Sequence, residues 1–228
     1  EPGKPAGRDH VVADTIKGSD AFVGIATSAT TNEALEAFIA LSERADGKAA
    51  RMEPTAPELG YGEPAQVQDI LDADFIIVAG AEPLDYQRVI GYFIQRAADH
   101  DVPVALVAES ENELGDCATM VVGYDDAGQV AEAASGADKP VLVYSVGIKP
   151  AAIEALRPLG DKVRFLALDP ARNGEGAEAA GLTPVDDAIA EALTKADLLH
   201  VLLSEQSEDE AFTEKLNGTL DRAFAVVQ

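Results

Sequence analysis

The stretch DFIIVAGAEPLDYQ, from Asp74 to Gln87, decides the predicted fold of this chain. It begins with a run of apolar residues that indicates a buried β-strand, passes through a turn of small residues and ends in a helical segment. In mononucleotide-binding folds, a phosphate or a pterin lies at such a turn. Here the turn contains Glu82, a carboxylate that would repel an anionic ligand. The turn is therefore either a working ligand site or the remnant of one.

The same alternation of buried strands and helical segments continues on both sides of this stretch. It predicts an α/β fold that is Rossmann-like, with three αβα layers and a mostly parallel sheet, arranged in two lobes. Residues 1–19 are polar and contain Pro and Gly, so they are predicted to be a linker or tail. The first α/β lobe is predicted over 20–125 and the second over 139–228, with a small, polar and flexible segment between them. The glycine-rich segment 170–184 is predicted to be a loop.

Composition and charge exclude several classes of function. The chain has 228 residues, of which 17 are basic and 41 acidic, and its net charge is −24. Such a surface repels nucleic acid and anionic lipid. Cys117 is the single cysteine, so the chain cannot build a disulfide framework, an iron–sulfur cluster or a cysteine-based zinc site from its own residues. No apolar run approaches the roughly 20 residues of a membrane span, so we expect no direct membrane insertion. The absence of disulfides fits a reducing compartment, and we expect a cytoplasmic location.

Four stretches together resemble a known family, the molybdopterin oxidoreductases, and within it the molybdopterin-like domain of the large iron–sulfur subunit of NADH–quinone oxidoreductase. One is a helix start, the second is the opening strand and turn, the third is a glycine-rich stretch, and the fourth is a pair of late strands. The residues that carry the first three are Ser28, Ala29, Thr31, Asn32 and Glu33; Gly80, Ala81, Glu82 and Pro83; and Asn173, Gly176, Ala177 and Gly181.

The resemblance implies that the chain is a fragment of a larger electron-transfer subunit of an NADH dehydrogenase, which is an oxidoreductase. The chain itself would be a cofactor-free domain that acts as a scaffold and docking module, without a catalytic step of its own. Iron–sulfur clusters and NADH chemistry would lie outside it. Its partners would be other subunits or domains of a redox complex, and it would be cytoplasmic or peripheral to a membrane complex.

Departures from the family's motifs argue that the cofactor site is vestigial. Where the family has Gly-x-Asn-Pro, this chain places Glu82, whose ionised carboxylate can only accept hydrogen bonds. Glu109 stands close to where the family has a phosphate-binding arginine, and the late turn at 204–206 has no glycine. No catalytic residue and no metal ligand are predicted. The vestigial cofactor contacts predicted from the motifs are Gly80, Ala81, Glu82, Gly147, Arg172, Asn173, Gly174 and Gly176.

Two alternatives stay open from the sequence. In the first, the site still binds molybdopterin or a nucleotide, as in a formate-dehydrogenase-like oxidoreductase, and Gly80, Ala81 and Gly147 line one cleft with the loop 173–176. Separately, Arg172 and backbone N–H groups at a helix start are either an anion nest or part of a plain αβ connection. In the second, the chain is a stand-alone sensor or binding protein on a doubly wound fold.

Overall fold

The structure is a computed structural model that describes residues 8–110, 112–169, 173–202, 210–221 and 223–227. The chain divides into two compact units. Unit 1 comprises Glu1–Pro54 and Ala171–Gln228, and unit 2 comprises Thr55–Pro170. These units divide the chain differently from the predicted lobes, 20–125 and 139–228, because the chain leaves unit 1 after residue 54 and returns to it at residue 171.

Strands and helices alternate along the described residues. The strands are β1 (Phe22–Ala26), β2 (Lys48–Arg51), β3 (Glu63–Pro64), β4 (Phe75–Ala79), β5 (Val104–Val107), β6 (Met120–Val122), β7 (Pro140–Tyr144), β8 (Arg164–Ala167), β9 (Leu198–Leu202) and β10 (Phe224–Val227). The α-helices are α1 (Arg8–Gly18), α2 (Asn32–Arg44), α3 (Asp69–Asp72), α4 (Pro83–Tyr86), α5 (Arg88–Ala98), α6 (Ala127–Ala134), α7 (Pro150–Leu156), α8 (Gly174–Ala179), α9 (Asp187–Lys195) and α10 (Glu210–Leu220). Short 3₁₀ helices cover Gly115–Cys117, Tyr124–Asp126 and Arg157–Lys162.

Unit 1 contains a four-stranded parallel sheet in the order β10-β9-β1-β2. Side-chain caps start two of its helices, because the hydroxyl of Thr31 accepts from the N–H of Ala34 and the carboxylate of Asp186 accepts from the N–H of Ile189. Leu35 of α2 and Leu193 of α9 are buried in separate apolar clusters of this unit. Each helix therefore uses one apolar stripe to cover the sheet.

Unit 2 contains a six-stranded parallel sheet in the order β3-β8-β7-β4-β5-β6. Every residue of the central strand β4 is buried. Ile77 and Ala79 face a cluster that includes α6 and α7, whereas Ile76 and Val78 face a cluster that includes α5. Since alternate residues of a strand point to opposite faces, helices cover both sides of this sheet. The predicted α/β class with a Rossmann-like three-layer arrangement and parallel strands is confirmed.

Some local predictions were wrong. The predicted tail 1–19 includes α1, and the predicted glycine-rich loop 170–184 includes α8. The supposedly flexible segment between the lobes forms α6, whose residues Ala127, Val130, Ala131 and Ala134 are buried at helical spacing. The small side chains of α6 let it pack closely on the sheet. The small residues that suggested a flexible segment are therefore part of the core. None of the helices in the described ranges combines the length and apolar character that crossing a membrane requires.

Candidate functional site

The strand order of unit 2 defines the place where an open α/β sheet would bind a ligand. From β4 the chain proceeds to β5 and β6 on one side, and then crosses to β7 and β8 on the other. The carboxyl ends of β4 and β7 are neighbours at this change of direction, which is the usual ligand position. Four of the predicted contacts, Gly80, Ala81, Glu82 and Gly147, lie in the two turns that follow these strands.

The two turns are in direct backbone contact at Gly80 and Gly147. Gly80 has a φ of 57°, and a Cβ added to it would overlap the backbone of Gly147 and Ile148. A Cβ added to Gly147 would lie 2.6 Å from the carbonyl oxygen of Gly80. Both glycines are thus required by the approach of one turn to the other. At these two positions the turns approach each other through backbone, with no room for a side chain between them.

Side chains from neighbouring segments hold these turns in place. The side-chain amide of Asn112 donates to the carbonyl oxygen of Ala81 at 3.2 Å. The hydroxyl of Tyr124 donates to the carbonyl oxygen of Gly147 at 3.0 Å. The pocket beside the β4 turn is lined by Glu82, Pro83, Leu84, Asp85, Asn112, Glu113 and Leu114 and holds about 10 Å³. That volume corresponds to about one water molecule.

Electrostatics at this edge of the sheet oppose an anionic ligand. Glu82 and Glu109 follow the neighbouring strands β4 and β5 and are exposed. The pKa of Tyr124 is raised, chiefly because partial burial disfavours the phenolate and further because these two carboxylates lie near it. Glu82 and Glu109 are exposed, so the close approach of the two turns is made by the glycine backbones and not by these carboxylates.

The remaining predicted contacts lie in unit 1, and Arg172 lies outside the described residues. The amide of Asn173 donates to the carbonyl oxygen of Thr30 at 2.9 Å and to the side-chain oxygen of Asn32 at 2.8 Å. Gly174 is buried at the start of α8, and a Cβ at Gly176 would overlap the Asn32 and Asn173 amides. These residues therefore join α8 to the loop after β1. Neither unit contains the whole predicted set.

A carboxylate–serine contact at the carboxyl end of β1 was not predicted by any sequence pattern. Glu53 accepts two hydrogen bonds from the N–H of Ser28, at 2.9 and 3.0 Å, and one from its hydroxyl at 2.8 Å. Ser28 is fully buried. Because both oxygens of Glu53 are engaged by the loop, the pair fixes the backbone after β1 and is not arranged as a nucleophile with a free base. Glu53 lies 25 residues after Ser28, so only the folded chain reveals this contact.

Metal-binding and thiol chemistry have no assembled site in the part of the chain that the structure describes. No group of three or more His, Cys, Asp or Glu residues there could hold a metal ion. The thiol of Cys117 donates to the carbonyl oxygen of Leu114 at 3.2 Å. Burial raises the pKa of Cys117, which disfavours the reactive thiolate.

Comparison with known proteins gives a match in structure alone. The chain matches none of the known protein families, and no curated protein matches it. It is similar to a chain in the crystal structure of the formyltransferase/hydrolase complex (FhcABCD) from Methylorubrum extorquens in complex with methylofuran. The TM-score is 0.63 at 19% sequence identity, and the match covers 96% of this chain and 77% of that chain. At this identity the similarity shows a shared fold.

This comparison corrects the identification made from the sequence. The similar structure comes from a formyltransferase/hydrolase complex, and not from NADH–quinone oxidoreductase. The prediction of a molybdopterin-oxidoreductase-like domain in an NADH dehydrogenase was therefore wrong, and so were the formate-dehydrogenase-like alternative and the expected electron-transfer role. The motifs misled because a strand, a glycine turn and a helix recur throughout α/β folds. In this chain the turn glycines serve backbone packing.

Proposed function

We propose that this chain is a structural subunit of a multi-subunit complex of the formyltransferase/hydrolase type. Its role there is to bind other subunits and support their arrangement, and it performs no reaction step of its own. The observation that carries the proposal is the extent of the structural match, which covers 96% of this chain and therefore includes residues of both compact units. The structurally similar chain belongs to an assembly of several subunits, as the name of that complex states.

Because a shared fold does not determine function, the proposal also needs support from the site. That support comes from the carboxyl edge of the six-stranded sheet in unit 2, where Gly80 and Gly147 meet through their backbones. An enzyme of this fold class places its ligand at that point. Here the two turns are in backbone contact and the carbonyl oxygens of Ala81 and Gly147 already accept from side chains, which supports a subunit whose own sheet edge is not a reaction site.

The same geometry supports the proposal that the chain holds no cofactor of its own. The β4 turn carries Glu82, and Glu109 adds a second exposed carboxylate near Tyr124. A phosphate or pterin placed there would meet two negative charges and two carbonyl oxygens that are already engaged. The structurally similar complex is described with methylofuran. In the proposed assembly of this chain, such a ligand would then be held by another subunit.

The composition of the native assembly tests this function. An affinity-tagged copy of the full chain is expressed in its source cells, the assembly is isolated, and native mass spectrometry identifies the subunits and their ratio. We expect subunits similar to those of a formyltransferase/hydrolase complex, at fixed stoichiometry with this chain. Isolation of this chain alone, or with stoichiometric partners of another enzyme class, would overturn the proposal. Calorimetric titration of the isolated chain with methylofuran should give no binding signal.

A further inference from the structure

An apolar stripe stands exposed on α5 and at the end of the preceding helix α4. Val89 and Tyr92 of α5 are 64% and 58% exposed, and Tyr86 of α4 is 57% exposed. The opposite face of α5 is buried through Ile90, Ile94 and neighbouring residues. An exposed tyrosine and valine on α5, next to a second exposed tyrosine at the end of α4, are typical of a protein-binding surface rather than of ordinary solvated surface.

The charge of this surface is the reverse of the charge of the whole molecule. The chain carries a net charge of −24, yet α5 contains two arginines, Arg88 and Arg96, and no carboxylate. Every other helix of eight or more residues in the described ranges contains at least one Asp or Glu. The nearest carboxylates in sequence, Asp85 and Asp99, lie beyond the two ends of α5.

Helical geometry places these arginines beside the apolar stripe. At about 100° per residue, Arg88, Val89, Tyr92 and Arg96 fall within an arc of about 100° on the exposed side of α5. The Nε of Arg88 donates to the carbonyl oxygen of Leu84 at 3.2 Å, which holds its side chain next to the stripe. Within the described residues, neither Arg88 nor Arg96 takes part in an ion pair. Their charges are available to a partner.

We propose that this surface, defined by Tyr86, Arg88, Val89, Tyr92 and Arg96, docks another protein subunit whose contact region combines apolar side chains with Asp or Glu. Charge complementarity selects that occupant: an acidic protein is repelled by the net charge of this chain and attracted by Arg88 and Arg96 at this surface. The aromatic and aliphatic side chains supply contact area, and the arginines fix orientation. The inference rests on the proposed function, because it names the surface through which the proposed structural subunit binds another subunit of its complex.

Two other occupants fit the charges less well. A two-fold dimer of this chain through the same patch would place the arginines of one copy near those of the other, which is unfavourable. An anionic membrane would attract the arginines but would be repelled by the chain as a whole, whose net charge is −24. The experiment distinguishes both of these from binding to a different protein.

The test uses the full chain in its native assembly. Tyr92 is replaced by the photo-cross-linking residue p-benzoylphenylalanine, and a control copy carries the same residue at Glu36, an exposed position of unit 1. Mass spectrometry then maps the cross-linked peptide. We expect position 92 to cross-link a different protein, within a segment that contains Asp or Glu next to apolar residues, and position 36 not to reach that segment.

Charge reversal gives a second, independent readout. Arg88→Glu with Arg96→Glu should weaken binding of the cross-linked partner by about tenfold or more, and reversal of the partner's carboxylates to lysine should restore it. The matched control, Lys17→Glu with Arg44→Glu, makes the same charge change on exposed positions of unit 1 and should leave binding within about twofold. Melting temperatures of both variants verify that the fold is intact.

Each result decides one of the two proposals. Cross-linking to a second copy, no cross-link in the isolated assembly, or unchanged binding after charge reversal would overturn the docking surface even if the assembly is of the formyltransferase/hydrolase type. Arginine-dependent binding to phosphatidylserine vesicles would overturn it as well. If the cross-linked partner belongs to another enzyme class, the docking surface stands and the proposed function fails.

Discussion

Gly80 and Gly147 touch through their backbones at the point where the order of strands reverses in the six-stranded sheet. Each glycine follows a different strand, and each leaves room for the other only because it has no side chain. The contact joins the β4 and β7 turns at the edge of the sheet where related folds bind ligands. The stability of unit 2 should therefore depend on this approach of one turn to the other.

Substitution of Gly80 by alanine should reveal the energy of this contact. The added Cβ would overlap the backbone at Gly147, and the φ of 57° is itself unfavourable for alanine. We expect Gly80→Ala to lower the free energy of unfolding by at least about 2 kcal/mol, measured by urea denaturation.

Two glycines in the same unit provide matched controls. Gly60 has a φ of 70° but nothing near its Cβ position, so Gly60→Ala isolates the backbone strain, at about 1 kcal/mol. Gly123 has a negative φ and an equally open position, so Gly123→Ala should stay within about 0.5 kcal/mol. If Gly80→Ala costs no more than Gly60→Ala, the turns are not locked together as described.

The Ser28–Glu53 contact should behave as a structural hydrogen-bonded pair. Glu53→Gln removes the charge from an acceptor of three hydrogen bonds, and Ser28→Ala removes one donor. We expect each change to destabilise the protein by about 1–2 kcal/mol. A double-mutant cycle in denaturant should give a coupling energy of about 1 kcal/mol. The exposed Glu36→Gln is the control, and a coupling energy near zero would contradict the geometry.

The sequence was sufficient to predict the strands that lie in the interior of a sheet. The five residues of β4 are consecutive apolar residues, and a run of that kind predicts a buried parallel strand without any tertiary information. β2 was missed, because Lys48–Arg51 contains only two alanines between charged residues. It becomes a strand by pairing with β1, Val23 opposite Lys48, and such pairing depends on the folded chain.

The candidate site was predictable only in part, for the same physical reason. The turn at Gly80 is visible in the sequence because it follows β4 directly. The backbone that packs against it, at Gly147, belongs to the turn after β7, which lies far along the chain. No local sequence pattern connects the two turns. α6 is different: its buried residues follow helical spacing, but their small side chains and Gly128 suggested a linker. There the periodicity was present and the composition outweighed it.

Asn173 offers a test of whether the glycine-rich stretch binds a ligand or supports the fold. Its amide donates to the carbonyl oxygen of Thr30 and to the side chain of Asn32. We expect Asn173→Ala to lower the free energy of unfolding by about 1 kcal/mol, seen as a lower melting temperature of the ligand-free protein. The control is Glu178→Ala, which changes an exposed residue of α8, the helix that follows Asn173, and it should have little effect. An unchanged melting temperature for Asn173→Ala would contradict the structural role.

The carboxylate of Asp197 should make the stability of unit 1 depend on pH. The pKa of Asp197 is lowered, chiefly because the hydroxyl of Ser19 donates to it, with further donation from the N–H groups of Asp20 and Ala21. These bonds connect the segment before β1 to the start of β9. An aspartate whose folded pKa lies below its unfolded value stabilises the protein above the unfolded pKa of about 4, and that stabilisation is lost as the pH falls through the folded pKa.

We therefore expect Asp197→Asn to lower the free energy of unfolding at pH 7, and the difference from the unsubstituted protein to shrink as the pH falls below about 4. Denaturant unfolding at a series of pH values measures this difference. Asp125→Asn, which changes an exposed aspartate of unit 2, is the control for the loss of a surface carboxylate. A difference for Asp197→Asn that stays constant from pH 7 to pH 3 would mean that the ionised form of this carboxylate does not stabilise the fold.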